Sequence, residues 1–178
     1  MGEWRIEPAT IEALPDILKI EEACFSAPWT RKMLEAELSG NPFAHFLLAK
    51  RTSSGEAGSV SIVGYLCFWV VFEEVRLMNL AVIESMRHKG IARALVTRAL
   101  EVGLEQAALC AVLEVRASNH AAHAFYRSLG FRDVTIRPKY YTNPIEDALL
   151  MELDPIVSEA GRSTLEVSRE GERIRPLQ

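Results

Sequence analysis

The sequence lacks an apolar run of the roughly 18–20 residues that a membrane-spanning helix requires. Its longest candidate, Ile62 to Phe72, is ended by Glu73 and Glu74, so we expect no membrane partner. It also lacks an excess of positive charge, because 20 Lys and Arg against 24 Asp and Glu give a formal net charge of −4. That balance creates no overall field attractive to nucleic acids, and we expect no direct nucleic-acid partner.

Cysteine is scarce as well. Cys24, Cys67 and Cys110 form no Cys-x-x-Cys pair and have apolar neighbours, so we interpret them as buried thiols and not as metal ligands or disulfides. The first residues lack the basic stretch, apolar segment and cleavage site of a secretory signal, which predicts a cytoplasmic protein. The chain does contain enough hydrophobic residues to form a core. Of its 178 residues, 49% are hydrophobic and 25% are charged, a balance typical of a folded domain.

Hydrophobic periodicity predicts an alternation of strands and helices. The predicted strands are 4–6, 45–50, 61–72, 75–82, 111–115, 134–138 and 147–153, and the predicted helices are about 11–24, 31–38, 91–107 and 120–128. Thr10, Thr30 and Asn119 are the candidate helix caps. The order β-α-α-β-β-β-α-β-α-β-β mixes an antiparallel meander with βαβ crossovers, so we expect an α+β, three-layer fold with a mixed, mostly antiparallel central sheet and helices on both faces.

Two segments show little apolar periodicity. Residues 52–59 are rich in Ser and Gly and are predicted to form a mobile hairpin loop. Residues 155–178 carry alternating charges and are predicted to form a charged C-terminal tail, with a short helix as the alternative. The predicted domain therefore covers residues 1–154.

A candidate anion-binding loop follows the strand that ends at Val82. The segment Arg87 to Arg93 is basic, contains Gly90 and opens the long third helix. The N–H groups and the positive dipole end of a helix's first turn attract anions, and a glycine lets a phosphate approach the backbone. The chain has neither the GxxxxGK[ST] loop nor the GxGxxG fingerprint of other nucleotide sites. On these residues alone, Gly90 could equally be a turn residue before a surface helix.

The residue pattern of this loop identifies it more specifically than its charge and its glycine do. Arg-His-Lys-Gly-Ile-Ala (87–92), after Leu-Ala-Val (80–82), resembles the [QR]xxGx[GA] acyl-CoA loop of the GNAT superfamily of N-acetyltransferases. The segments 113–119 (LEVRASN) and 124–131 (AFYRSLGF) resemble the family's second signature. Together with Ala-Pro-Trp-Thr (27–30) and Lys-Tyr-Tyr (139–141), they look like the RimI-type branch, the bacterial ribosomal-protein-alanine N-acetyltransferases.

The resemblance implies that acetyl-CoA is the co-substrate and assigns residues to it. The backbone of Leu80, Ala81 and Val82 would pair with the pantetheine arm, the backbone of His88, Lys89, Gly90, Ile91, Ala92 and Arg93 would hold the pyrophosphate, and Asn119 would touch the CoA arm. Ala92 stands where bacterial relatives usually have glycine, which predicts a slightly altered fit around the phosphates without loss of function.

Glu114 and Tyr126 are the candidate catalytic residues. Glu114 is the one charged residue in an otherwise apolar strand, where desolvation would favour a general base. The alternative is a solvated edge-strand glutamate. The resemblance implies that Tyr126 is the general acid; a core tyrosine bonded to backbone is the alternative. A tyrosine with a pKa near ~10 is a weak donor to a thiolate whose conjugate pKa is ~8.5, so hydrogen bonding to the leaving thiolate is at least as important as full protonation. A backbone N–H, that of Val82, is the candidate oxyanion donor.

The pKa of the acceptor amine favours a protein N-terminus. Roughly a tenth of an α-amine is neutral at pH 7, against roughly 0.04% of a lysine side chain, so a single carboxylate base is sufficient for the former. By resemblance, the acceptor is the N-terminal alanine of the eighteenth small-subunit ribosomal protein. Broader protein N-termini, a small-molecule amine, or a non-catalytic acyl-CoA sensor are the alternatives.

Residues around the expected acceptor site are less specific. The predicted walls are the loops at Pro28-Trp29, Glu73-Glu74 and Tyr140-Tyr141, and the carboxylates of Glu21, Glu22, Glu73 and Glu74 could attract a basic peptide or be solvated surface charge. His120 and His123 have an i, i+3 spacing without further ligands, so we expect no metal site. The oligomeric state does not follow from the sequence.

Overall fold

A seven-stranded sheet organises the protein in a computed structural model, which describes residues 4–52 and 60–157. The strands are β1 (Trp4–Pro8), β2 (Ala44–Thr52), β3 (Val60–Val71), β4 (Glu74–Val82), β5 (Cys110–Arg116), β6 (Arg132–Thr142) and β7 (Ile145–Leu153). Their spatial order is β1-β2-β3-β4-β5-β7-β6, and every neighbouring pair is antiparallel except β4 and β5. The predicted mixed, mostly antiparallel sheet is confirmed.

Four α-helices connect these strands in the predicted order. They are α1 (Leu14–Cys24), α2 (Arg31–Glu35), α3 (Ile91–Glu105) and α4 (His120–Ser128). A single 3₁₀ turn, Ile11–Ala13, precedes α1, and a wider π-type turn, Ala36–Gly40, continues α2. None of the helices in the described ranges is long and apolar enough to cross a lipid bilayer.

Two of the three predicted helix caps are confirmed. The Thr30 Oγ1 accepts the Met33 N–H at 3.3 Å, and the Asn119 Oδ1 accepts the Ala122 N–H at 3.1 Å. Each bond satisfies one donor of a helix's first turn. Thr10 makes no side-chain capping bond. The 3₁₀ turn separates it from α1, which has a proline in its first turn instead.

The sheet has a hydrophobic core on each face because side chains alternate along a strand. On β2, Leu48 packs with α1 and α2, whereas its neighbours Leu47 and Ala49 pack beneath α3. On β3, Tyr65 likewise belongs to the core on the α1 and α2 side, and Leu66 belongs to the core on the α3 side. This arrangement is the three-layer fold with helices on both faces that the sequence predicts.

Helix α3 carries the chain from β4 to the parallel strand β5. Gly103 allows it to lie close to the sheet, since a Cβ placed there would be 2.1 Å from the Cγ2 of Val75. Because β4 and β5 are parallel, their carboxyl ends lie at the same edge of the sheet. The candidate catalytic residue Glu114 and the predicted acyl-CoA loop lie towards this edge of the sheet.

Some sequence predictions fall at the limits of the described ranges. Most of the predicted mobile loop, residues 53–59, and residues 158–178 of the predicted tail lie outside the described residues. Ile156, placed in the tail by the sequence, is 5% exposed, and its N–H donates to the Leu109 oxygen. Of the three cysteines, Cys67 is buried as predicted, but Cys24 and Cys110 are only partly buried because they lie at the ends of α1 and β5.

Candidate active site

A cleft opens where β4 and β5 separate. The two strands are paired from Glu74 to Leu77 on β4 and from Cys110 to Leu113 on β5, and no pair follows in the described residues. Beyond this point their walls enclose a cavity of about 530 Å³. Its lining includes 77–80 of β4, 113–116 of β5, 25–29 between α1 and α2, and 140–143 at the end of β6. A cavity of this size is typical of a small-molecule binding site.

A bulge turns the backbone of β4 at the start of the cleft. Cys67 and Phe68 of β3 pair with Asn79 and Leu77, so Met78 is the extra residue. Further on, the Ile83 N–H donates to β3. Because the polar groups of successive residues alternate between the two sides of a strand, those of Val82 and Leu80 point away from β3, towards the open edge. This edge can pair with an extended ligand as another strand would.

The basic loop after β4 leaves its amide groups accessible. Residues 87–90 are exposed, and Gly90 has a φ of +81° at the N-terminus of α3. The Ala94 N–H donates to the Gly90 oxygen, and no side chain caps the helix. The amides of residues 91–93 therefore have no partner within α3. A 15-residue helix that begins in this way is an anion site.

Three cations surround this loop, and each contacts a neutral acceptor. The Arg87 Nε donates to the Val82 oxygen at 3.1 Å, the Lys89 Nζ to the Ser85 oxygen at 2.8 Å, and the Arg93 Nη2 to the Ser128 Oγ at 2.9 Å. None of the three is ion-paired with a carboxylate in the described part of the chain. Their charge is available to a bound anion.

Glu114 projects from β5 into the cavity wall with its side chain 8% exposed. Its Oε1 is ion-paired with Arg76 at 3.1 Å and with Arg137 at 2.9 Å. The alternative of a solvated edge-strand glutamate is therefore wrong, because β5 lies between β4 and β7. Both guanidinium groups contact the same carboxylate oxygen. Sequence reasoning missed these arginines, since they come from strands 38 and 23 residues away.

Tyr126 lies on α4, 9% exposed, and also lines the cavity. Burial raises the pKa of its hydroxyl above the ordinary value, with a smaller contribution from Tyr141. Its ring packs in the core against Phe125 and Phe131, as the core-tyrosine alternative has it, but within the described residues its hydroxyl makes no hydrogen bond to backbone. The cavity is thus lined by both candidate catalytic residues, Glu114 and Tyr126.

Asn119 lies beside these groups at the start of α4 and lines the same cavity. Its side-chain oxygen is used as the helix cap, so its amide nitrogen is the group available to a ligand. Of the remaining residues assigned to the co-substrate, Leu80 lines the cavity, Ala81 and Val82 are buried in β4, and the loop 88–93 lies beyond the cavity's lining residues.

Tyr140 and Tyr141 form the wall that comes from β6. A wide bulge between Arg137 and Tyr141, opposite β7, turns both rings, and their centroids lie 5.2 Å apart. The Tyr141 hydroxyl donates to the Glu114 backbone oxygen at 3.3 Å, and the Arg116 guanidinium lies 4.1 Å from its ring centroid. Burial raises the pKa of Tyr141 to about 12. Both tyrosines of the predicted wall line the cavity.

The predicted wall at Glu73-Glu74 is wrong, and the four carboxylates considered as attractors of a basic peptide lie in different places. Glu73 and Glu74 are at the opposite end of β4, where they line a second cavity, because β4 begins at Glu74 and the cleft opens beyond Leu77. Glu22 is exposed. Glu21, by contrast, is fully buried next to the active-site cavity. Its sequence signal is its position four residues after Ile17, on the apolar face of α1.

The histidine pair makes ordinary contacts. The His120 and His123 rings are 5.9 Å apart, and the His123 Nε2 is 3.1 Å from the Arg116 oxygen. Across residues 4–52 and 60–157, no group of three or more His, Cys, Asp or Glu side chains is arranged to hold a metal ion.

Comparisons with known proteins identify related sequences and folds. Residues 14–131 match the model of the acetyltransferase (GNAT) family. The ribosomal protein bS18-alanine N-acetyltransferase of Escherichia coli K12 is 36% identical over 142 residues, which are 79% of this chain and 90% of that protein. The crystal structure of the E. coli ribosomal-protein-S18-alanine N-acetyltransferase has a TM-score of 0.75 at 30% identity and covers 88% of this chain and 96% of that one. Arabidopsis thaliana NAA60 in complex with acetyl-CoA has the same fold, with a TM-score of 0.76 at 18% identity over 85% of this chain and 98% of that one.

Proposed function

The chain belongs to the acetyltransferase (GNAT) family, and we propose that it acetylates the N-terminal alanine of a bacterial small-subunit ribosomal protein, bS18. It is an acetyl-CoA-dependent N-acetyltransferase. The observation that carries the proposal is the cleft between β4 and β5, which brings Glu114 and Tyr126 to one cavity beside the open edge of β4. An acceptor of this kind is made in the cytoplasm, so the proposal places the enzyme there.

The unpaired backbone groups fit acetyl-CoA as co-substrate. The open edge at Leu80 and Val82 would bind the amide groups of the pantetheine arm, and the free amides of residues 91–93 with the three loop cations would hold the pyrophosphate. Bound acetyl-CoA supplies the activated thioester. The Val82 N–H, on the open edge, is the donor proposed for the thioester oxygen.

The two catalytic residues have different proposed roles. Glu114, which is ion-paired with Arg76 and Arg137, is proposed to take the proton of the incoming amine. Tyr126 keeps its proton because burial raises its pKa, so it is proposed to donate a hydrogen bond to the departing thiolate. Since roughly a tenth of an α-amine is already neutral at pH 7, one carboxylate base is sufficient for an N-terminal acceptor.

The proposal is tested by mass spectrometry of peptides incubated with the purified protein and acetyl-CoA. One peptide begins with Ala-Arg, two begin with Met or Ser, and one has a blocked N-terminus and an internal lysine. We expect a single acetyl group on the α-amine of the Ala-Arg peptide, and none with the Glu114→Gln variant. Acetylation spread over all free N-termini would replace the proposal by a broad N-terminal acetyltransferase. No acetylation of any peptide while acetyl-CoA binds would refute it.

A further inference from the structure

Glu21 is a buried carboxylate that the proposed reaction does not use. It lies on α1 with no exposed surface, in the wall of the active-site cavity beside Trp29 and Asn79. Its neighbour Glu22 is exposed on the other side of the same helix. A charge removed from water in this way is costly unless it is well compensated, so its partners decide what it can do.

All the hydrogen-bond partners of Glu21 are neutral donors. The Trp29 N–H donates to Oε2, and the Tyr65 hydroxyl and the Asn79 Nδ2 donate to Oε1, the latter at 2.8 Å. Such a set of donors suits the ionised form, which only accepts. Burial nevertheless raises the pKa of Glu21, with the three hydrogen bonds acting in the opposite direction. The hydrogen-bond geometry, in which both oxygens only accept, is what favours a carboxylate here, and no cation is paired with it in the described residues.

The other charged residues of the cavity are balanced. Glu114 is ion-paired with two arginines, and Arg116 is ion-paired with Glu146 at 3.1 Å. Among the charged residues that line the cavity in the described part of the chain, Glu21 alone has no ionic partner. Arg76 is also ion-paired with Glu74 at 3.0 Å, so the two arginines and the two carboxylates of that cluster balance one another. The unbalanced negative charge at the cavity therefore comes from the α1 side.

We propose that Glu21 is a positioning residue that selects the acceptor by charge, because its unbalanced carboxylate attracts a substrate that enters as an α-ammonium ion. The inference rests on the proposed function and names the group that draws the amine into the cleft. Glu21 does not touch the acceptor. It acts through the wall residues Trp29 and Asn79, whereas Glu114 receives the proton.

The test compares two peptides and two variants. The peptides share one sequence beginning Ala-Arg, and one of them is N-terminally acetylated, so they differ in the ammonium charge. Glu21→Gln and Glu22→Gln remove the same formal charge from adjacent positions of α1. For Glu21→Gln, calorimetry is expected to give about tenfold weaker binding of the free-amine peptide, because the variant removes the attraction between the carboxylate and the ammonium group. Binding of the acetylated peptide and of acetyl-CoA stays unchanged, and Glu22→Gln binds all three ligands as the wild type does.

Steady-state kinetics distinguish an effect on peptide binding from an effect on the acetyl-transfer step. With Glu21→Gln we expect the KM for the peptide to rise about tenfold and kcat to stay within about twofold. Equal weakening of both peptides would overturn the proposal in favour of a purely structural wall, and unchanged binding of the free-amine peptide would overturn it as well. A wild-type protein that binds the free-amine peptide but does not acetylate it would refute the proposed function and leave the charge comparison intact.

A second variant keeps the proposal testable if Glu21→Gln does not fold. Tyr65→Phe removes the hydrogen bond donated to Glu21 and the one accepted from Asn79 but retains the carboxylate. Binding of the free-amine peptide is therefore expected to stay within about threefold of the wild type, since the net contribution of each hydrogen bond is small. A selective loss of the free-amine peptide as large as tenfold in Tyr65→Phe would mean that network geometry and not charge decides acceptor binding.

Discussion

Substituting Gly90 separates two effects of this residue, its backbone conformation and the space beside it. Gly90 has a φ of +81°, and a Cβ built on it meets nothing within 4 Å. An alanine there clashes with no neighbour but takes a left-handed conformation that costs about 1 kcal/mol. For a chain of this size that cost lowers the melting temperature by about 2–4 °C. Asparagine tolerates this conformation, so Gly90→Asn should lower the melting temperature less than Gly90→Ala does.

The affinity for acetyl-CoA should rank the two variants in the opposite order to their melting temperatures. The open space at Gly90 adjoins the free amides at the start of α3, where we expect the pyrophosphate. A side chain there displaces the phosphates, and each lost hydrogen bond to a charged group is worth about 1.5–3 kcal/mol, which is about tenfold or more in affinity. The larger Asn side chain should therefore weaken binding at least as much as Ala. Calorimetry measures the affinity for acetyl-CoA and thermal unfolding measures the melting temperature, both on the same samples. Wild-type affinity in Gly90→Asn would refute the assignment of this loop to the phosphates.

Three further substitutions test the site and the packing that supports it. Glu114→Gln should lower kcat by about 10²–10⁴ while calorimetry finds acetyl-CoA affinity nearly unchanged, and an equal loss of both would remove Glu114 from the base role. Tyr126→Phe should lower kcat with little change in the KM for either substrate, because its hydroxyl acts only as the thiolate departs; a change confined to KM would contradict this role. Gly103→Ala places a Cβ 2.1 Å from the Cγ2 of Val75, so chemical denaturation should show a loss of about 1–3 kcal/mol of unfolding free energy, and Val75→Ala in the same chain should restore part of it.

Local signals made most of the fold predictable. Thr30 and Asn119 precede helical patterns and cap helices in the structure. Continuous apolar segments predicted the central strands, and the order of elements indicated the crossover from β4 to β5. These features depend on neighbours within a few residues, which periodicity and capping chemistry capture directly.

The candidate site was predictable in its residues and not in its electrostatics. Glu114 stood out as a charge in an apolar strand, but Arg76 and Arg137 are brought to it by strand pairing and carry no local signal. The length of the β4–β5 pairing, which opens the cleft, depends on tertiary packing for the same reason. Glu21 was grouped with surface charges, although its spacing from Ile17 placed it on the buried face. Its burial became apparent only with the donors from Trp29, Tyr65 and Asn79.

The short pairing between β4 and β5 also has a mechanical consequence. Four residue pairs join strands β1 to β4 to the three strands on the other side. The edge proposed to hold the acyl donor belongs to the first group, whereas Glu114, Tyr140 and Tyr141 belong to the second. The distance between the bound acyl donor and Glu114 therefore depends on the angle between these two groups of strands at the short β4–β5 pairing. A ligand that adds hydrogen bonds along the open edge would stiffen that pairing, so occupancy by the first substrate would fix the geometry that the second one meets.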